Sequence, residues 1–381
     1  MKKNSRKRIG VVYNFSTKWM GGVIYILNAI KILNWLEDDK QPEVVLFYRK
    51  DLKKFVDEIE YPHLTAVEWE FPSIYKGYIT SWLSGSNKFI EPICKQYELD
   101  AVFPMHDFPV KSGSKVQEVC WYADLQHKHY PQFFSNRKIM ERDARIRLIL
   151  KNTKHLVLSS RSVLNDFKKF FKVKPDVNVH IFHFASVVDR FDFSGWEDLL
   201  RQHRLPQKYF LVSNQFHKHK NHKVLLESLA LLKKEGKKPF LAMSGKLPDD
   251  SSAPHVLELK ELMEQHDLKD QICFLGVLSR QEQLTLMRYA QAVIQPSLFE
   301  GWSTVIEDAI SLQTPVIASN LAVNIEQLGD WGVFFDPHDL NALASLMNDN
   351  FERTDFDKVI YEPYDQRIKR AAESFAEVFN V

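Results

Sequence analysis

Cysteine is scarce, with three in 381 residues: Cys94, Cys120 and Cys273. They are widely spaced and form no CxxC pair, which excludes a disulfide framework and a cysteine-based zinc site and fits a reducing cytoplasm. Long apolar runs are missing too. None reaches the roughly 18 residues that a membrane-crossing helix requires, and the basic N-terminus lacks the apolar core of a signal peptide. No internal repeat or low-complexity segment is present. Basic residues are dispersed and no nucleic-acid-binding module signature is found, which argues against a nucleic-acid partner. What is there is a long chain, 45% hydrophobic, sufficient for two α/β domains with separate cores.

The net charge of +2 conceals an asymmetry. Residues 1–190 hold 31 Lys and Arg against 21 Asp and Glu, or +10; residues 191–381 hold 20 against 28, or −8. A basic first half suits an acidic or phosphorylated acceptor, or an anionic membrane face, and is equally compatible with an ordinary solvated surface.

Short β-rich runs alternate with helical patterns. In the first half the predicted strands cover residues 9–13, 43–48, 101–104, 118–122 and 155–159. In the second half they cover 209–213, 240–244, 271–275, 292–295 and 315–318, with helix patterns over 222–234 and 256–266 between them. Such alternation predicts parallel sheets, arranged as two Rossmann-like domains with a cleft between them. The join is expected near residues 186–206, giving domains over 1–190 and 191–363. The final amphipathic helix, 364–381, is free to pack back on the first domain.

The most informative stretch is Pro296-Ser297-Leu298-Phe299-Glu300-Gly301-Trp302-Ser303-Thr304-Val305-Ile306-Glu307. A buried strand ends at Pro296, and a helix patterned on Val305, Ile306, Ala309, Ile310 and Leu312 closes at Thr314-Pro315. Glu300 therefore falls on the strand-to-helix turn and Glu307 in the first helical turn. Open α/β sheets bind ligands at that end. Carboxylates there accept hydrogen bonds from sugar and ribose hydroxyls, and the backbone N–H groups of residues 302–304 can face an anion. A plainer reading stands beside this one: Thr304 and Glu307 at capping-box spacing, with Glu300 an ordinary turn residue.

Glu300 to Glu307, continued by Thr314-Pro315-Val316-Ile317-Ala318-Ser319-Asn320, resembles the nucleotide-sugar signature of family 4 glycosyltransferases, which are retaining, metal-independent enzymes of the GT-B fold. The resemblance implies that Glu300 contacts the donor sugar, that Glu307 holds the ribose hydroxyls, and that Gly301, Trp302, Ser303 and Thr304 lie against the donor. Val212 to His222 resembles the phosphate-binding segment of the family. Lys220 matches its lysine, but Gln215 stands where an arginine is usual, so Lys218, Arg161 or Lys246 is expected to supply the missing charge. Gly21-Gly22, read as a turn after the first strand, resembles the glycine loop that abuts the donor phosphates and acceptor. Gly245-Lys246 and Val277 resemble contacts to phosphate and nucleobase.

Trp121 to Ser135 resembles a first-domain segment in which a histidine precedes an aspartate. Asp124 is retained, Ala123 replaces the histidine, and His127 or His129 is the available substitute. Those two histidines have no third ligand at metal-binding spacing, so no metal is expected. Phe167 to Lys172 is aromatic and basic, and fits either a membrane contact or a helix end packed into the core.

The expectation is thus a retaining, metal-independent glycosyltransferase acting from a UDP- or GDP-sugar donor, without a cofactor, on a glycan or lipid-linked acceptor. Its setting would be surface polysaccharide or glycan synthesis, in the cytoplasm or at the inner face of the membrane. The catalytic set would be Glu300, Lys220, Asp124 and His127. A non-catalytic sugar-nucleotide-binding partner subunit, or another GT-B enzyme such as an epimerase or phosphorylase, is the alternative.

Overall fold

In the computed structural model, the described residues are 6–17, 19–105, 110, 115–188, 190–246, 253–352 and 361–381. They divide into two compact units, one of residues 1–185 with 364–381, the other of residues 186–363.

The first unit is built on a seven-stranded parallel sheet in the order β3-β2-β1-β4-β5-β6-β7. Its strands are β1 (Arg8–Tyr13), β2 (Glu43–Tyr48), β3 (Leu64–Glu68), β4 (Ala101–Phe103), β5 (Gln117–Tyr122), β6 (His155–Leu158) and β7 (Asn178–Ile181). The central strands read as almost unbroken apolar runs because helices cover both faces of a parallel sheet. Val12, Val45, Val102, Cys120 and Leu156 are buried together with Ile146, Ile149 and Phe167 from the covering helices. The Cys94 and Cys120 thiols are both pushed up to about 12 by burial, so they behave as apolar filling.

The helix Tyr364–Val378 belongs to this unit. Phe375 packs on Phe103 with ring centroids 5.4 Å apart, Trp35 Nε1 donates to Asp365 at 3.0 Å, and Gln117 Nε2 donates to the Val378 carbonyl at 2.8 Å.

The second unit carries a six-stranded parallel sheet in the order β10-β9-β8-β11-β12-β13. These are β8 (Phe210–Ser213), β9 (Leu241–Ser244), β10 (Ile272–Gly276), β11 (Ala292–Gln295), β12 (Val316–Ser319) and β13 (Val333–Phe335). Strand order reverses between β8 and β11, which pair in parallel. At such a switch point the loops leave β8 and β11 in opposite directions and open a crevice at their carboxyl ends.

β3, β7 and β13 are additional to the ten strands read from sequence. All three lie at sheet edges, where pairing is one-sided and the residues need not be uniformly apolar. Gly21 and Gly22 also differ from expectation. They do not form a turn but occupy the first turn of the helix Met20–Lys31, whose N-cap is Trp19. The first N–H groups of a helix have no internal partners, so glycine is tolerated there. At Gly22 it is required by packing: an added Cβ would lie 2.6 Å from the Trp19 ring, which stacks on Trp121.

The Phe167–Lys172 stretch follows the packed alternative. Phe167 is fully buried, and Phe170 and Phe171 pack against the same core. Among the described residues no helix is long and apolar enough to cross a membrane.

Candidate active site

The site grows from the two loops at the switch point of the second unit. After β8 the chain runs through Gln215 into the short turn Lys218–Lys220, then passes Asn221 in a left-handed conformation (φ 56°) and enters the helix His222–Lys234. After β11 it runs through Pro296 and Glu300 into the helix Thr304–Ser311. The loops are stitched together. Leu298 N donates to the His219 carbonyl at 2.8 Å, and Asn221 Nδ2 donates to the carbonyls of Pro296 at 3.1 Å and Pro337 at 2.8 Å.

That stitching brings Lys220 to Glu300. Lys220 Nζ lies 2.6 Å from Glu300 Oε1, and the side chains are only 17% and 10% exposed. Gln295, the last residue of β11, donates to the same carboxylate oxygen at 2.7 Å, and Asn214 holds the Gln295 amide oxygen at 3.0 Å. Burial pushes the Glu300 carboxyl up. The Lys220 charge and a Ser297 hydrogen bond outweigh it and hold the group below the usual carboxylate range. Glu300 is therefore an ionised carboxylate. Lys220, with three N–H donors, keeps capacity for a second anion.

Glu307 is buried one turn into its helix. The N-cap is Ser303, not Thr304: the Ser303 hydroxyl accepts from Ile306 N at 3.3 Å, and Thr304 is the first helical residue. The Thr304–Glu307 capping box is thereby corrected. Gln327, from the helix Ala322–Leu328, donates to Glu307 Oε1 at 2.8 Å and to the Ser303 carbonyl at 2.9 Å, and accepts from Ser303 N at 3.1 Å. Of the N–H groups expected to face an anion, that of Ser303 is thus already engaged. Behind the helix, Arg280 clamps buried Asp308 with two bonds of 2.6 and 2.5 Å, and Ser186 donates to the same carboxylate.

Gly245 follows β9 with φ +145°, and an added Cβ would fall 2.1 Å from the Asn214 carbonyl oxygen. Only glycine fits this close approach of two loops. Lys246 is exposed beside it, and its carbonyl accepts from Phe216 N at 3.2 Å. Val277, after β10, is exposed. Gln215 faces His217 across 2.9 Å. Burial and the charge of Lys220 hold the His217 imidazole below its ordinary range, so this position is neutral where the family pattern has an arginine. Lys218, exposed in the same turn, and Lys246 lie on loops of this sheet end; Arg161 belongs to the first unit.

In the first unit Asp124 accepts from Gln126 N at 2.9 Å and pairs with Arg142 at 3.0 Å. His127 is buried with Nε2 2.9 Å from Asp143, and His129 pairs with Asp166 at 2.9 Å. Burial pushes the His127 imidazole down, keeping it neutral. The two histidines thus face separate carboxylates, and Asp124 pairs with an arginine instead of either. No cluster of three metal-ligating side chains occurs among the described residues.

Residues 198–373 match the model for glycosyl transferases group 1. This stretch is a group 1 glycosyl transferase domain. It contains Lys220, Gly245, Glu300 and Glu307. The chain is 29% identical over 140 residues to the O-antigen chain mannosyltransferase B of Escherichia coli, covering 36% of this chain and 35% of that protein. It is 24% identical over 226 residues to the O-antigen chain mannosyltransferase RfbU of Salmonella typhimurium, covering 59% and 58%. The chain thus spans between about a third and three fifths of the length of these curated relatives. The Anabaena protein HepE, solved in complex with UDP and glucose, superimposes with a TM-score of 0.63 at 16% identity over 98% of this chain and 95% of that one. The chain's two α/β units, each on a parallel sheet, share their fold with GT-B glycosyltransferases.

Gln295 and Gln327 are not marked by any motif read from sequence, and Asn214, inside the Val212–His222 segment, has no role assigned there, yet these residues orient Glu300 and Glu307. One signal was available for Gln295: a polar residue closing an otherwise apolar strand.

Proposed function

We propose that this chain is a retaining, metal-independent glycosyltransferase that moves a sugar from a nucleotide-sugar donor to a hydroxyl of a glycan or lipid-linked acceptor. The observation that carries this reading is the convergence of ionised Glu300, Lys220 and buried Glu307 at the switch point of a group 1 domain. Glu307 receives the ribose hydroxyls and Glu300 the donor sugar. Lys220 stabilises the diphosphate as the glycosidic bond breaks, with Lys218 and Lys246 adding charge where Gln215 has none. Charge stabilisation of this kind, in a site already organised before reaction, is the main source of rate. The departing phosphate oxygen accepts the acceptor's proton on the same face. Asp124 and the helix end at Gly21-Gly22 serve the acceptor side.

Both relatives are named as O-antigen mannosyltransferases, so surface polysaccharide synthesis and mannose are the first setting and first sugar to test. The test is thermal unfolding with UDP, GDP, dTDP and ADP, for the wild type and Glu307→Ala. A ligand at about 100 times its dissociation constant adds roughly 2.7 kcal/mol of apparent stability. One nucleotide stabilising the wild type and not the variant supports the reading. If none does, the neutral Gln215 has removed the donor site. Donor binding without turnover would favour a non-catalytic partner subunit.

A further inference from the structure

The helix Ile74–Ser84 in the first unit is amphipathic the wrong way round. Its inward face carries the small residues Gly77 and Ser81, with Tyr78 packed on Phe89 at 5.5 Å between ring centroids. Gly77 is buried where an added Cβ would lie 2.1 Å from the Phe89 ring, and Ser81 is buried with its hydroxyl donating to the Gly77 carbonyl at 2.6 Å. Its outward face carries Tyr75, Ile79, Trp82 and Leu83, which are 78, 59, 81 and 71% exposed. Those four positions recur at i, i+4, i+7 and i+8, so they form one stripe.

The stripe continues onto the helix Asn136–Asn152. Arg137 interacts electrostatically with Tyr75, and Met140, one turn further on, is 71% exposed. Scattered exposed apolar residues need no explanation, but a contiguous aromatic and aliphatic stripe does. Eleven residues cannot span a bilayer, and an apolar helical face of this kind suits the headgroup boundary.

The charge around the stripe is net basic, although Glu91 and Glu141 each pair with neighbouring cations. The helix Ile74–Ser84 has Lys76 and no carboxylate. The helix Asn136–Asn152 has six Lys and Arg against two Asp and Glu. Lys88 lines the shallow depression shared with Thr80, Leu83 and Ser84, but its ammonium is paired with Glu91. Two copies of this face would set like charges against each other, whereas an anionic lipid surface complements them.

We propose that the stripe of Tyr75, Ile79, Trp82 and Leu83, with Lys76 at its rim and the net-basic helix Asn136–Asn152 beside it, docks this unit on an anionic membrane surface. The inference names a contact for the membrane-face setting expected from the sequence. It does not depend on the reaction, because the binding assay involves neither donor nor turnover.

The test is cosedimentation of the full chain with vesicles of phosphatidylcholine, with and without about 30% phosphatidylglycerol, for the wild type, Trp82→Ser/Leu83→Ser and Lys76→Glu. The wild type is expected to bind the anionic vesicles, and both variants to bind at least about tenfold more weakly. Both variants should melt within a few degrees of the wild type, since all three side chains are exposed. Lys76→Glu stands as an independent probe should the double variant fail to fold. Absence of wild-type binding at roughly millimolar lipid overturns the proposal, as does unchanged binding of either folded variant. So does light scattering that shows a wild-type dimer turned into a monomer by Trp82→Ser/Leu83→Ser, which would assign the stripe to a second copy of the chain.

Discussion

Lys220→Met removes the ammonium from Glu300 while keeping most of the aliphatic stem. Breaking a deeply buried pair by deleting one partner costs about 3–5 kcal/mol. Here Glu300 keeps two donors, Gln295 Nε2 at 2.7 Å and Ser297. Each neutral hydrogen bond contributes about 1 kcal/mol, so the expected loss is about 1–3 kcal/mol near neutral pH. The sign of its pH dependence is specific. In the wild type the Glu300 pKa is depressed, so its contribution to stability is present above the unfolded value of about 4.3 and is lost as pH falls below it. In the variant, burial acts without the opposing charge and the folded pKa rises above the unfolded one. The penalty then begins above about pH 4.3 and grows with pH by at most about 1.4 kcal/mol per unit. Urea unfolding at about pH 5 and about pH 7.5 should therefore show a small difference from wild type at the lower pH and a larger one at the higher. A double-mutant cycle with Glu300→Gln should return a coupling of about 1–3 kcal/mol. A loss below about 0.5 kcal/mol, equal at both pH values, would refute the reasoning, because such a pair is solvent-screened and unable to hold an ionised glutamate.

If the full chain transfers sugar as proposed, the same variant should lower kcat/KM by about 100- to 1000-fold in a sugar-transfer assay, the usual effect of removing one preorganised charge at a leaving group. Gly245→Ala should destabilise the second unit by more than about 2 kcal/mol in calorimetry, since it combines a positive φ with a Cβ 2.1 Å from the Asn214 carbonyl. His222 stacks on Phe216, and burial, aided by the Lys220 charge, pushes its imidazole down to about 3. The unfolded chain takes up that proton below about pH 6.5, so stability should fall between about pH 6.5 and 5 in the wild type. His222→Phe should flatten that slope, as read by denaturant midpoints across the range.

The legible part of the fold was its alternation of apolar strands with amphipathic helices. Six of the residues at issue, Gln215, Lys220, Gly245, Val277, Glu300 and Glu307, fall on loops or first helical turns at strand ends of the second sheet. Edge strands β3, β7 and β13 were not legible, because one-sided pairing relaxes the demand for apolar residues. Gly21-Gly22 misled because glycine marks turns more often than first helical turns; the stacking of Trp19 on Trp121, a contact across about a hundred residues, decided the matter. Thr304 misled by one position, since Ser303 offers the same capping chemistry and the tertiary partner Gln327 selects between them.

By itself the sequence determined where the chemistry-bearing groups fall along the chain and that parallel sheets would carry them, because hydrophobic period and turn residues act locally. Only the tertiary structure decided which groups meet. Parallel strands pair through crossovers, so β8 lies beside β11 although about eighty residues separate them, and that pairing joins Lys220 to Glu300. The same holds for Gln327 on Glu307, from a helix that follows a different strand. The outward stripe of Tyr75, Ile79, Trp82 and Leu83 sits at helical spacing, and spacing alone does not say which face is buried. Packing gave the core side to Gly77, Tyr78 and Ser81, and at Gly77 the Phe89 ring leaves no room for a Cβ.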